Sequence, residues 1–154
     1  MATPAVQRTK VFISYSHADA ERLERLQIHL KPLAREGKVM PWDDTLIRPG
    51  TRWKEAIERA LAEAKVAVLL VSADFLASDF IATNELPPLL ARAEQTGAVI
   101  LPVLVGPSRF TKTESLSRFQ TVNPPNRPLA ALSEDEQEQI WVRVTEAIED
   151  ALNF

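Results

Sequence analysis

The chain has 154 residues, 45% hydrophobic and 25% charged, with a net charge of −3, two histidines and no cysteine. That length fits one domain with a real core, and it excludes disulfides, thiolate catalysis and cysteine-ligated zinc. Interspersed charges of both signs give no footprint for direct nucleic-acid binding, and two histidines are too poor a ligand set for a metal to be expected.

Residues 1–9 are expected to form a flexible tail ahead of a single domain over residues 10–154. Met1-Ala2-Thr3-Pro4 lacks the apolar core of a signal peptide. No apolar run approaches the roughly 20 residues of a membrane helix, so a soluble, cytoplasmic chain without a membrane partner is expected. Residues 11–15 read as a buried strand that stops at small polar residues. Asp19 and Glu21 open a helix with Leu23, Leu26, Leu30 and Leu33 at helical spacing. Pro32 is expected to kink or shorten it, since an interior proline costs about 3 kcal/mol, and Gly37 supplies a stop. His29 on this helix is expected at the surface.

Residues 38–42 read as a short second strand and 43–52 as a loop, with Pro49-Gly50 as its turn. Trp53, Ile57, Ala60, Leu61 and Ala64 line one face of a second helix, with Trp53 expected in the core. Residues 66–71 are apolar throughout, as in a strand covered on both faces of a parallel sheet. Residues 72–83 read as a loop or short turn, 86–95 as a helix ended by Gly97, and 98–105 as another apolar strand. Residues 106–126 read as irregular, a length that marks a functional or mobile segment. Residues 127–132 read as a short edge strand. Ser133 and Glu136 form a capping box for a last helix with Ile140, Val144, Ala147, Ile148 and Leu152 inward.

Strand and helix alternate throughout, which implies a flavodoxin-like, doubly wound α/β sandwich around a parallel, roughly five-stranded sheet. Ligands of such sheets bind outside the carboxyl ends of the strands, which selects the loops at 14–19, 42–50, 72–85 and 106 onward. In the third of these a lone carboxylate, Glu85, admits two placements. Asn84 serves as N-cap, with Glu85 in a first turn that tolerates Pro87 and Pro88 and whose dipole keeps the acid ionised. Alternatively, a longer helix starts at Asp79 and kinks at the prolines. The sequence leaves both open. No G-x-x-x-x-G-K-[ST] loop, G-x-G-x-x-G turn or G-x-S-x-G elbow is present, which removes support for triphosphate hydrolysis, hydride transfer and elbow-type hydrolysis. A phosphoacceptor receiver domain wants acids after the first strand, where this chain has Ser14 and Ser16.

Phe12-Ile13-Ser14-Tyr15-Ser16 followed by Asp19 resembles the opening box of Toll/interleukin receptor (TIR) domains. Trp42-Asp43-Asp44, then Ile47-Arg48-Pro49-Gly50 and Trp53, resemble that family's second box, the BB loop. Val68-Leu69-Leu70-Val71-Ser72 with Phe75-Leu76 and Ser78 is similar to its third strand and the loop after it, and Asn84-Glu85-Leu86 to the helix carrying its glutamate. The resemblance runs from Lys10 to the C-terminus in unbroken order. Its detail, including Phe119-Gln120 to Pro128-Leu129, is most like bacterial effector TIR domains.

That resemblance implies the TIR fold and an NAD+ nucleosidase that releases nicotinamide and ADP-ribose or a cyclic ADP-ribose isomer. It implies activation by oligomerisation and a role in bacterial anti-phage defence. NAD+ is then a substrate, and no cofactor is expected. Glu85 is the implied catalytic residue, with Ser14, Tyr15, Ser16, His17, Trp42, Asp43, Asp44 and Asn84 as implied substrate contacts. Ile47, Arg48, Pro49 and Gly50 are the implied BB-loop assembly residues. The partners implied are NAD+, other copies of the domain, and a sensor domain in a longer protein of which this is the N-terminal effector part. The other reading is a non-catalytic TIR adaptor that signals by TIR–TIR binding.

Blander roles stand beside these. Ser14, Ser16 and His17 suit a strand end and a helix cap, Trp42 suits core packing, and Asp43 and Asp44 suit shaping a turn. Some relatives carry arginines where Ser16 and His17 stand; helix N-terminal amides are the substitute phosphate contact here. One glutamate is chemically enough. Most glycosidic bonds need two carboxylates because the leaving oxygen must be protonated, whereas nicotinamide leaves as a neutral base. One ionised carboxylate against the cationic sugar is worth roughly 3–4 kcal/mol, or about 10²–10³ in rate.

Overall fold

The computed structural model of the chain describes residues 10–152, and the expected tail over residues 1–9 lies outside them. Four apolar stretches pair as a parallel sheet, β1 (Lys10–Ser14), β2 (Met40–Trp42), β3 (Val66–Val71) and β4 (Val99–Leu104), in the order β2-β1-β3-β4. β3 is buried at every residue, as an unbroken Val/Leu run in the middle of a parallel sheet requires.

Successive side chains of a strand point to opposite faces, and this sorts the core in two. Val11 and Ile13 of β1, with Tyr15 just beyond its end, pack with Val66, Val68 and Leu70 beneath α1 (Ala20–Arg35) and α6 (Glu134–Leu152). Phe12 packs with Ala67, Leu69 and Val71 beneath α2 (Trp53–Glu63) and α4 (Leu86–Thr96). Ser14 shares the Phe12 side, so the first strand delivers its last side chain toward α4.

Several local signals act as read. Gly37 takes φ +75, and Lys38 N–H to Leu33 O (2.9 Å) with Gly37 N–H to Ala34 O (3.0 Å) close α1 in a Schellman motif. Gly97 ends α4 in the left-handed region. Ser133 and Glu136 exchange capping hydrogen bonds at 3.0 and 3.3 Å.

Others are corrected. α1 runs through Pro32 to Arg35. Pro32 and Ile28 both lie on the exposed side, so the Ile28 carbonyl that the proline leaves unpaired is reachable by water. His29 is half-buried at the α1–α6 junction, 3.2 Å from Glu138 Oε1. Glu138 is also held by Arg25, whose guanidinium keeps that carboxyl down at about 2. Trp53 is 49% exposed rather than in the core, because the inward face of α2 starts a turn later at Ile57. Residues 72–83 are not a plain loop: Ser72 caps a short helix, α3 (Ala73–Ala77), and helical backbone resumes at Asp79. Residues 106–126 contain a 3₁₀ turn, Phe110–Lys112, and α5 (Glu114–Ser117), anchored by buried Phe110 and Leu116.

Among the described residues the sheet has four strands, and residues 127–132 form a 3₁₀ turn, Leu129–Ala131, instead of an edge strand. The open edge of β4 is satisfied another way. Asn123, only 1% exposed, accepts from Leu104 N–H and donates to Leu104 O, both at 2.9 Å, and donates to Arg127 O at 3.1 Å. Val122 N–H reaches Pro102 O at 2.9 Å. Pro102 stands where its missing N–H would point off the sheet, the place an edge strand tolerates proline.

Candidate active site

The carboxyl end of β1, the loop after β2, Ser78 just past α3 and the helical turns that lead into α4 line a cleft of about 320 Å³. Glu85 sits in its wall, 5% exposed. Its placement follows from Pro87 and Pro88. A proline ring clashes with the carbonyl four residues back and donates no hydrogen bond. Ahead of the two prolines the helix widens into a π turn over Ile81–Glu85, closed by Leu86 N–H to Ile81 O. The helix therefore runs from Asp79 to Thr96, the longer of the two placements, and Glu85 is not in a first turn. Asn84 is no N-cap; its side-chain amide donates to Phe80 O at 3.3 Å. A π turn of this kind is frequent at functional sites.

Ser14 donates to Glu85 Oε1 at 2.6 Å. The second carboxylate oxygen takes no hydrogen bond from the described residues and is not sealed from solvent. Burial pushes the Glu85 carboxyl up from near 4.5 to about 7, and the Asp44 charge adds to that; the Ser14 hydroxyl and a positive His17 act against it. Helix dipole stabilisation of the charged form, expected from a first-turn position, is absent.

Across the cleft stands Asp44, in a 3₁₀ turn (Asp44–Leu46). Both its oxygens are engaged: Tyr15 donates to Oδ1 at 2.8 Å, and His17 Nε2 lies 2.6 Å from Oδ2. Burial, then the Asp44 bond, pushes the Tyr15 hydroxyl above its usual range. Ser16 lines the cleft while its hydroxyl caps Ala18 N–H at 3.3 Å. Ser78, Phe80 and Ile81 complete the wall. The loop at 72–85 that holds them is one of those selected from the sequence, but none of the three is among the expected substrate contacts, although Ile81 precedes Glu85 by four residues and so shares its helix face. The lining holds two carboxylates and no lysine or arginine. Such a cleft favours a cationic ligand group, and one free carboxylate oxygen in a desolvated wall can stabilise developing positive charge.

A family model described as "TIR domain" matches residues 11–140. The chain belongs to the TIR-domain family. It is similar to "Uncharacterized protein y4lF" of Sinorhizobium fredii (strain NBRC 101917 / NGR234), 35% identical over 95 residues, which is 62% of this chain and 29% of that protein. Among solved structures, the TIR domains in "Structure of the activated Roq1 resistosome directly recognizing the pathogen effector XopQ" align with a TM-score of 0.50 at 20% identity, over 94% of this chain and 84% of that one. That likeness is one of fold.

In this TIR domain, then, Ser14, Tyr15, Ser16, His17, Asp44 and Glu85 come together at one cleft, while the remaining expected contacts lie elsewhere. Trp42 stacks on Phe12 at 5.2 Å and 20° and packs against the core. Asp43 is buried and accepts from Thr45 N–H at 2.9 Å and from the Thr45 hydroxyl, while Gln27 donates to it at 2.9 Å; it pins the loop rather than facing a ligand. Asn84 lines a neighbouring groove with Trp53. Arg48, Pro49 and Gly50 form an exposed turn closed by Thr51 N–H to Arg48 O at 3.0 Å, with Gly50 at φ +85, and Ile47 tucks against the core. No described helix is long and apolar enough to cross a membrane, and no metal-binding group of acids and histidines occurs among the described residues.

Proposed function

We propose that this TIR domain is an NAD+ nucleosidase that cleaves the bond between ribose and nicotinamide. The observation that carries the reading is Glu85, desolvated, with one oxygen fixed by Ser14 and the other open on an acidic cleft. The nicotinamide end of NAD+ is cationic, which suits a cleft lined by Glu85 and Asp44. As the bond to nicotinamide breaks, positive charge passes to the sugar, and the open Glu85 oxygen opposes it at short range. No acid is needed for the leaving group and no cofactor takes part. ADP-ribose or a cyclic isomer is the product, according to which nucleophile closes the reaction. Self-association through the Ile47–Gly50 turn, a sensor region elsewhere in a longer protein, a cytoplasmic setting and an anti-phage role complete the proposal.

Nicotinamide release from NAD+, measured on the dilute chain and again after forced oligomerisation, tests it. Release that rises on assembly is expected; none in either state leaves the adaptor reading, in which TIR–TIR binding is the whole activity.

The pH profile gives a second test. The acting form of Glu85 is the carboxylate, so kcat/KM is expected to climb about tenfold per pH unit below about 7 and to level off about one unit above it. Ser14→Ala removes the hydroxyl that favours the charged form, so the rising limb should move to higher pH. A flat profile from pH 5 to 9 is incompatible with this role for Glu85.

A further inference from the structure

The nucleosidase reading leaves one polar atom of the cleft without a task. His17 stands at the mouth, its side chain 79% exposed, with Nε2 bonded to Asp44. A carboxylate on Nε2 makes that nitrogen the N–H and leaves the lone pair on Nδ1. The pair is held on both sides. Tyr15 fixes the other Asp44 oxygen, and buried Asp43 pins the loop root. The His17–Asp19 turn is tied to the end of β3 by Ser72 donating to Asp19 at 2.5 Å.

Departure of nicotinamide needs no proton, but the water that replaces it must lose one. Glu85 is ill-suited to take it, because a protonated Glu85 no longer opposes the sugar's positive charge. Resting on the nucleosidase reading, we propose that His17, oriented by Asp44, is the general base that activates the attacking water. The C1′–N bond breaks with its electron pair on nicotinamide, which leaves neutral. The water oxygen bonds to C1′, its proton passes to His17 Nδ1, and Asp44 stabilises the imidazolium until the proton is returned to solvent. Glu85 thus governs bond breaking and His17 governs which nucleophile finishes the reaction.

A nucleophile with no proton to lose separates the two steps. The assembled protein is incubated with NAD+ and 3-acetylpyridine, and ADP-ribose and the exchanged dinucleotide are quantified by chromatography. In His17→Ala and His17→Asn, the ratio of hydrolysis to exchange is expected to fall on the order of 10²-fold. Asp44→Asn should shift the ratio in the same direction. Thermal melts of the His17 variants should match the wild type, since the ring is exposed. A hydrolysis-to-exchange ratio that does not change, or hydrolysis and exchange falling together, overturns the role of His17 while leaving NAD+ cleavage intact. Absence of both products from the wild type overturns the nucleosidase reading itself.

Discussion

Glu85→Gln is expected to cut nicotinamide release by about 10²-fold or more and, at pH 8, to make the protein more stable. The two effects have one cause. Burial raises the Glu85 carboxyl from near 4.5 to about 7, so the folded state prefers the neutral form. The stability this group contributes is fully present below its unfolded value and is lost as pH rises through about 7. At about 1.4 kcal/mol per pH unit, the charged side chain costs the fold on the order of 3 kcal/mol at pH 8. Glutamine keeps the shape and still accepts from Ser14, but carries no charge. The variant should therefore melt about 6–12 °C higher than the wild type at pH 8, with the difference vanishing near pH 4. Glu138, held down by Arg25, loses its own contribution as pH falls below its unfolded value, but it does so equally in both proteins and cancels in the difference. Nicotinamide release should fall by about 10²–10³ or more, the scale of one lost electrostatic group. Calorimetry at the two pH values beside the NAD+ assay checks both halves. An inactive variant that is no stabler at pH 8 would mean that Glu85 is not the desolvated charge the cleft is built around.

What the sequence makes legible here is what short range decides. The apolar run of β3, the Schellman glycine after α1 and the Ser133–Glu136 box each act through residues within a turn of one another. The cleft's location was legible too, because in a parallel sheet the strand ends select the loops. Its interior was not. Asp43 and Asp44 are neighbours of the same type, and only the 3₁₀ turn that follows decides that Asp43 is buried on Thr45 and Gln27 while Asp44 faces Tyr15 and His17. Pro87 and Pro88 pointed to a helix start as well as to a distortion; the widened turn before them puts Glu85 in the cleft wall and Asn84 in the next groove. Trp53 fits the helical period of its neighbours, yet the end of α2 leaves it outside, against Phe80 at 5.5 Å. The first two misses turn on which of two adjacent residues the local backbone turns inward and the third on where the helix begins relative to the core, and periodicity resolves neither.

The missing fifth strand yields the other large effect. Asn123→Ala is expected to destabilise the fold by about 2–6 kcal/mol, since it strips partners from Leu104 N–H and Leu104 O, at about 1–3 kcal/mol for each polar group left buried and unpaired, while Arg127 O lies on an exposed residue and can turn to water. Leu104 is 3% exposed, so water has little access to repair the loss. Asn123→Asp is the sharper probe. It preserves an acceptor for Leu104 N–H but turns a carboxylate oxygen toward two carbonyls, and should cost at least as much as alanine although it is the smaller change in shape. Urea unfolding at pH 7 measures both. Nicotinamide release per folded molecule should be unaffected in either, because Asn123 serves the edge of β4 and the cleft is built on β1, the loop after β2 and the entry to α4. The pair of substitutions thus separates two kinds of buried polar group in one domain: at Asn123 every bond is made and removal weakens the fold, whereas at Glu85 one oxygen is left unmatched and removal strengthens it. If Asn123→Ala unfolds with the wild-type midpoint, the edge of β4 is closed by backbone alone and the side-chain substitute for a strand is no part of what holds the sheet.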